Sequence, residues 1–237
     1  MSNLIVCALE AEASPKRAVE QQRFFKTGKG EYAEGDIFLG VGNPNVRRIT
    51  KKYRDEPLQE VLPMLADPRH EVRLCALLIM VEQYSRGTRE ICEKVFQAYR
   101  DNVQHVNNWD LVDLSAPGIV GEHAWNTSRT CLASFAKSSH LWEQRIAMVG
   151  TLALIRHGEF SETLKLAKRF LTHSHDLMHK AVGWMLREVG KRDRSLLDEF
   201  LSTFGSTMPR TALRYAIEHY PEPQRKQWLA ATRQAAG

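Results

Sequence analysis

Trp109 and Asp113 are the residues whose types and spacing suit chemistry, because they stand four apart and would share one face of a helix. A fixed carboxylate stabilises a sugar that turns cationic, the transition-state type met in glycoside hydrolysis. It can also orient a water for attack. An indole attracts a cation by roughly 0.5 to 2 kcal/mol, depending on desolvation. Trp184, near the start of a later helical block, is a second indole of the same kind. Each residue also has a plainer reading. Buried tryptophan is mostly packing, and an aspartate here can equally cap a helix or pair with a neighbouring arginine. Trp125 and Trp142 are read as packing. On spacing alone both readings of Trp109, Asp113 and Trp184 stay open.

Other reactive groups are sparse. His173, His175 and His179 suggest a metal site, since His175 and His179 are four apart with Asp176 beside His175. The motif HExxH needs a glutamate where Asp176 stands, and no third ligand is evident, so no metal is expected. Cys7, Cys75, Cys92 and Cys131 lack the short paired spacings of a zinc or redox site and read as small buried hydrophobes. There is no Gly-rich phosphate loop, no nucleophile elbow and no reason to assign a lysine Schiff base. Any hydrolytic chemistry is therefore expected to be cofactor-free.

The elements that would hold these residues are helices. Apolar side chains recur at helical spacing, as in Val72, Cys75, Ala76, Ile79 and Met80, then Ile146, Val149, Gly150 and Ala153, and no alternating strand pattern competes. An N-terminal helical segment over about 1–26, a glycine-rich loop over about 27–44 and helical repeats over about 45–237 make one expected domain. The repeats show when Arg73 of HEVRLCALLIM is placed over Arg145 of WEQRIAMVGTL, Lys180 of LMHKAVGWML and Arg210 of TMPRTALRYAI. The steps are 72, 35 and 30 residues, and Trp109 halves the first. Periods in the thirties with two helices per unit indicate an all-α stack of HEAT or armadillo type with a concave groove. Cations at one register would line it and track phosphates. Any single one of them is read first as a solvated surface charge; the four at matched positions are what point to a phosphate-tracking surface.

Hydrophobic residues make up 43% and charged residues 26% of the 237, ordinary globular usage that excludes a disordered chain. Lys and Arg exceed Asp and Glu by 33 − 28 = 5, a balance that favours an anionic partner. Arg47, Arg48, Lys51 and Lys52 form the densest basic cluster, with Arg47 and Lys51 on one helical face and Arg48 and Lys52 on another. The apolar run from Leu4 to Leu9 is cut by Glu10 and Glu12 with no basic segment before it, unlike a signal peptide. No apolar stretch reaches the ~18 residues of a membrane span. A cytoplasmic, monomeric protein is the expectation.

The strings FFKTGKGEYAEGDIFLGVGNPNVRRITKKY, NNWDLVD, WEQR and KAVGWMLREVG, in this order from about Gln21 to about Tyr220, together resemble the AlkD-type DNA alkylation repair proteins. The resemblance implies a right-handed superhelix of HEAT-like repeats gripping duplex DNA. It also implies a monofunctional DNA glycosylase that hydrolyses the N-glycosidic bond of N3- and N7-alkylated purines. Carried over by motif, Asp113, Trp109, Trp184 and Arg145 are its catalytic positions, with Arg145 holding a phosphate beside the lesion. Arg73, Lys180, Arg187 and Arg210 extend the DNA track, and Arg47, Arg48, Lys51 and Lys52 supply a second backbone contact. Two departures are visible. Gly42 and Asn43 precede Pro44 where the family often carries an arginine, which removes a phosphate contact. Phe24 or Phe25 stands where some members have tyrosine. The alternative of a different class is a non-catalytic HEAT scaffold that binds nucleic acid or protein without base release.

Overall fold

The computed structural model describes residues 3–234, with only the backbone described for 231–234. The chain forms two compact units, Met1–Ile119 and Val120–Gly237. Among the described residues the secondary structure is helical, and the only strand-like feature is an isolated parallel bridge between Ile37 and Arg69.

The first unit contains α1 (Leu4–Glu10), α2 (Pro15–Phe25), α3 (Asn43–Tyr53), α4 (Leu58–Val61), α5 (His70–Arg86), α6 (Arg89–Asp101) and α7 (Trp109–Ser115). Local chemistry marks their ends. The Asn3 carboxamide accepts from the Ile5 and Val6 amides to start α1, Ser14 caps α2 ahead of Pro15, and Thr88 caps α6. Helix α2 stops where Lys26 turns left-handed at φ 55°. Helix α5 is the unit's axis. Every residue from His70 to Met80 is buried, and α3, α6 and α7 pack around it. A helix enclosed on all sides must satisfy its polar side chains internally. His70, Glu71 and Arg73 therefore become structural problems that the rest of the unit has to solve.

The second unit contains α8 (Glu122–Asn126), α9 (Thr130–Lys137), α10 (Leu141–Arg156), α11 (Ser161–Phe170), α12 (Asp176–Gly190), α13 (Arg194–Phe204), α14 (Arg210–Ala216) and α15 (Glu222–Gln234). Here α10 is the enclosed helix, buried from Arg145 to Ile155 and flanked by α9, α11 and α12. Helices α12 and α14 meet at backbone distance, because a Cβ on Gly183 would lie 2.3 Å from the Ala212 carbonyl oxygen. No helix among the described residues is long and apolar enough to cross a membrane.

The repeat alignment holds in part. Arg73 is the fourth residue of α5, and Arg145 and Lys180 are the fifth residues of α10 and α12. Arg210, in contrast, is the first residue of α14, so that block slips in register. Proline at position 209 is the reason, since the residue after it opens the helix and nothing helical precedes it.

Candidate functional site

In the first unit Trp109 opens α7 and Asp113 follows one turn later, and both line a cleft of about 450 Å³ with Gln21, Phe24, Phe25, Asn43, His70, Asp110 and Leu114. The shared face expected from their spacing is thus present on a helix. Asp113 is half-buried, as is Trp109. The indole of Trp109 stacks on Phe25 at 5.2 Å and 15°, and Phe24 meets it edge-on at 6.0 Å. Phe24 is 67% exposed, so a large aromatic surface stands open to solvent beside the indole. Phe25 stacks in turn on Phe38 at 5.0 Å, and Phe38 on the His70 ring at 4.6 Å. Both phenylalanines at the position in question therefore have work to do: Phe24 presents a face and Phe25 backs the tryptophan.

Beneath the aromatic stack lies a buried polar network that the sequence reading does not anticipate. His70 Nδ1 is 3.1 Å from Asp36 and its Nε2 2.8 Å from Asp110. Arg73 donates to the other Asp36 oxygen at 2.6 Å and to the Asp67 carbonyl at 2.9 Å, and Asn108 Nδ2 donates to Asp36 at 3.0 Å. Burial opposes charge on His70, yet the Asp110 and Asp36 carboxylates outweigh it and push the imidazole up to about 9. Burial likewise opposes ionisation of Asp36, but the His70, Arg73 and Asn108 donors hold it below its usual range. Two carboxylates, an imidazolium and a guanidinium make the group neutral as a whole. Glu71, the other buried acid, accepts from the Leu39, Gly40 and Val41 amides at 2.9, 2.8 and 3.0 Å and so fixes the approach to α3. The signal for both features was a charged triplet, His70, Glu71 and Arg73, inside an otherwise apolar helix.

Arg73 is consequently not the groove cation that the repeat register predicts. It is 4% exposed and spent on Asp36 and Asp67, because α5 has no solvent face at that position. Arg145 differs from the expected surface cation in the same way: it is buried, and Nη1 donates to the Leu177 carbonyl at 2.5 Å, tying α10 to the first turn of α12. Trp184 lies half-buried on α12 in the second unit. On the same helix Lys180 pairs with Asp176 at 3.0 Å, and Arg187 pairs with Glu218. Arg210 is exposed and donates to the Leu229 carbonyl at 3.2 Å.

The basic cluster of α3 divides by face. Arg47 and Lys51, with Arg54, line a groove whose other wall is Leu78, Val81 and Glu82 of α5. Leu114 lines both this groove and the aromatic cleft, so the two are neighbours across it. Arg48 turns away to pair with Glu12 at 2.6 Å, and Lys52 lies over the Tyr53 ring at 4.9 Å. Beside Gly42, where the resemblance leads one to expect an arginine, lies the guanidinium of Arg17: Nη1 would sit 3.6 Å from a Cβ there and donates to the Gly40 carbonyl at 3.0 Å.

The three histidines serve the start of α12. His175 Nδ1 accepts from the Leu177 amide at 3.1 Å, His173 Nδ1 accepts from the His175 amide at 3.0 Å, and His179 Nε2 contacts the His173 carbonyl. Burial lowers the affinity of His173 and His175 for protons, as these accepting roles require. Among the described residues no three His, Cys, Asp or Glu side chains are grouped to hold a metal ion.

Residues 5–220 match the family described as DNA alkylation repair enzyme. Among solved structures, the chain is similar to a predicted DNA alkylation repair enzyme from Enterococcus faecalis, at 17% identity and a TM-score of 0.70 over 89% of this chain and 98% of that one. No curated protein matches the chain.

Proposed function

The chain belongs to the DNA alkylation repair enzyme family, and from that premise we propose that it is a monofunctional DNA glycosylase releasing N3- and N7-alkylated purines from duplex DNA. The observation that carries this reading is the Trp109–Asp113 pair on one face of α7, in a cleft whose wall is the exposed ring of Phe24. A purine alkylated at N3 or N7 is cationic and leaves neutral, so the leaving group needs little general-acid help. The sugar left behind becomes oxocarbenium-like, and the Asp113 carboxylate is the group in the cleft suited to stabilise it and to direct a water. The Trp109 and Phe24 faces attract the cationic base. Trp184 is the second indole that the family resemblance assigns to this task.

In the same proposal, phosphates flanking the lesion follow the α3 groove, which Arg47, Lys51 and Arg54 line and which shares Leu114 with the cleft. Arg17 stands in for the arginine missing at position 42. The resemblance also gives phosphate contacts to Lys180, Arg187 and Arg210 of the second unit, whereas Arg73 leaves the set because its charge is consumed internally. Arg145 keeps the site role that the resemblance gives it, besides anchoring α12. The helix pairs read as HEAT-like repeats, and the protein acts as a cytoplasmic monomer without cofactor.

Wild-type protein should release 7-methylguanine or 3-methyladenine from methylated duplex DNA. Trp109→Ala and Trp184→Ala should each lose more activity on these cationic lesions than on a neutral one. Tight, salt-sensitive DNA binding with no base release would replace this reading with the non-catalytic scaffold.

A further inference from the structure

Trp109 is held from both sides by the buried polar network rather than by its own packing alone. Asn108, the residue before it, caps α7 by accepting from the Trp109 amide at 2.8 Å while its Nδ2 donates to Asp36. Asp110, the residue after it, accepts from the Leu111 amide at 2.8 Å with one oxygen and receives His70 Nε2 on the other. The two flanking side chains therefore converge on His70, one through Asp36 and one directly. The His70 ring lies 5.0 Å from the ring of Phe25, which stacks on the indole itself. Backbone and ring of Trp109 are thus fixed by one residue of α5, itself enclosed at 1% exposure.

This arrangement makes a demand on His70 that only one protonation state meets. A neutral imidazole has a single N–H and can serve Asp36 or Asp110, but not both, whereas the imidazolium donates to both at once. Removing the proton leaves a buried carboxylate facing a lone pair, a costly contact in so dry a place. The charged groups around the ring are Asp36 and Asp110 in direct contact, Arg73 behind Asp36, Glu71 next in sequence with its carboxylate spent on the 39–41 amides, and Asp113 in the same cleft. None of them offers Asp110 a substitute donor.

We propose that His70 is a positioning residue, acting as a doubly donating imidazolium that clamps Asp36, Asn108 and Asp110 so that Trp109 is held in place beside Asp113. The activity part of this proposal rests on the glycosylase reading; the positional part does not. Loss of the His70 proton should loosen Trp109 and slow the chemical step, while duplex binding, which draws on the α3 groove cations rather than on Trp109, holds. The high proton affinity of His70 puts that loss at alkaline pH, near 9.

The test follows one sample of full-length wild-type protein from pH 6 to 10.5 by NMR, reading the His70 imidazole and the indole N–H signals. In parallel it measures single-turnover base release from methylated duplex, with non-enzymatic release subtracted, and duplex affinity. The Trp109 indole signal should shift with the same midpoint as the His70 ring, with Trp125 and Trp142 unmoved, and the release rate should drop about 10-fold on that limb with Kd changed less than about 2-fold. His70→Gln should show the shifted Trp109 signal already at pH 7 and a rate flat across the limb. A Trp109 signal indifferent to His70 titration overturns the proposal, and the wild-type titration decides this even if the variant does not fold. If Trp109 follows His70 but no base is released at any pH, the clamp stands and the glycosylase reading falls.

Discussion

Glu71 offers the sharpest stability test, since its carboxylate is enclosed at 1% exposure and accepts three consecutive backbone amides, Leu39, Gly40 and Val41. Hydrogen bonds to a charged group contribute about 1.5–3 kcal/mol each, and a buried donor left unmet costs about 1–3 kcal/mol. Glu71→Gln keeps one carbonyl oxygen for Gly40 and Val41 but turns an NH2 toward the Leu39 amide, donor against donor. One bond is lost outright and two are weakened, which sums to about 2–4 kcal/mol. The loop has no easy alternative. Gly40 sits at φ 79°, and a Cβ there would lie 2.0 Å from the Ser14 carbonyl oxygen, so the backbone is pressed against α2 and cannot slide to new partners. Urea unfolding should report the loss, and hydrogen exchange should localise it, with the Gly40 and Val41 amides protected in the wild type and exchanging fast in the variant. Glu90→Gln is the matched control: its fully exposed pair with Lys94, at 2.7 Å, should leave the urea midpoint where it is in the wild type. If Glu71→Gln behaves like the control, the view that this acid builds the entrance to α3 is wrong.

Two further outcomes follow from the packing and the charges. Gly183→Ala should force α12 and α14 apart, because the new methyl would overlap the Ala212 carbonyl, and should cost about 1–3 kcal/mol as a loss of thermal stability; an unchanged Tm would mean the helices do not touch there. Stability should also vary with pH on both sides of neutrality. His70 binds its proton more tightly folded than unfolded, about 9 against 6.5, so its contribution is complete below pH 6.5 and vanishes as pH rises through 9; its upper limit is about 3 kcal/mol. Asp36 is shifted downward, so its contribution is present above 3.8 and is lost on acidification. Denaturation of His70→Gln should lack the alkaline decline, and a variant with the full decline would place its origin elsewhere.

Much of this was legible in the sequence, and the misses have physical reasons. The helical class, the glycine-rich break before α3 and the pairing of Trp109 with Asp113 on one helix face all follow from local periodicity and spacing, which depend on a few residues at a time. The burial of Arg73 and Arg145 is not legible, because a cation in a helix looks the same in sequence whether its turn faces water or another helix. Both α5 and α10 are apolar nearly all round, and that is the clue that their cations are internal. The partners of His70 are 34 and 40 residues away, at Asp36 and Asp110, one of them in an irregular loop where no period fixes a direction. The division of the α3 cluster was half visible: spacing separated Arg47 and Lys51 from Arg48 and Lys52, but which pair meets the groove depends on Glu12 in the turn between α1 and α2.

The central claim is that the Asp113 carboxylate carries the chemistry. Base-release chromatography on methylated duplex DNA, with Asp113→Asn beside wild type and duplex affinity measured for both, tests it most directly. An amide of the same shape has no charge to set against a cationic sugar, so release of alkylated purines should vanish while affinity stays within about 3-fold, a difference under ~1 kcal/mol. Undiminished release by Asp113→Asn would contradict the account.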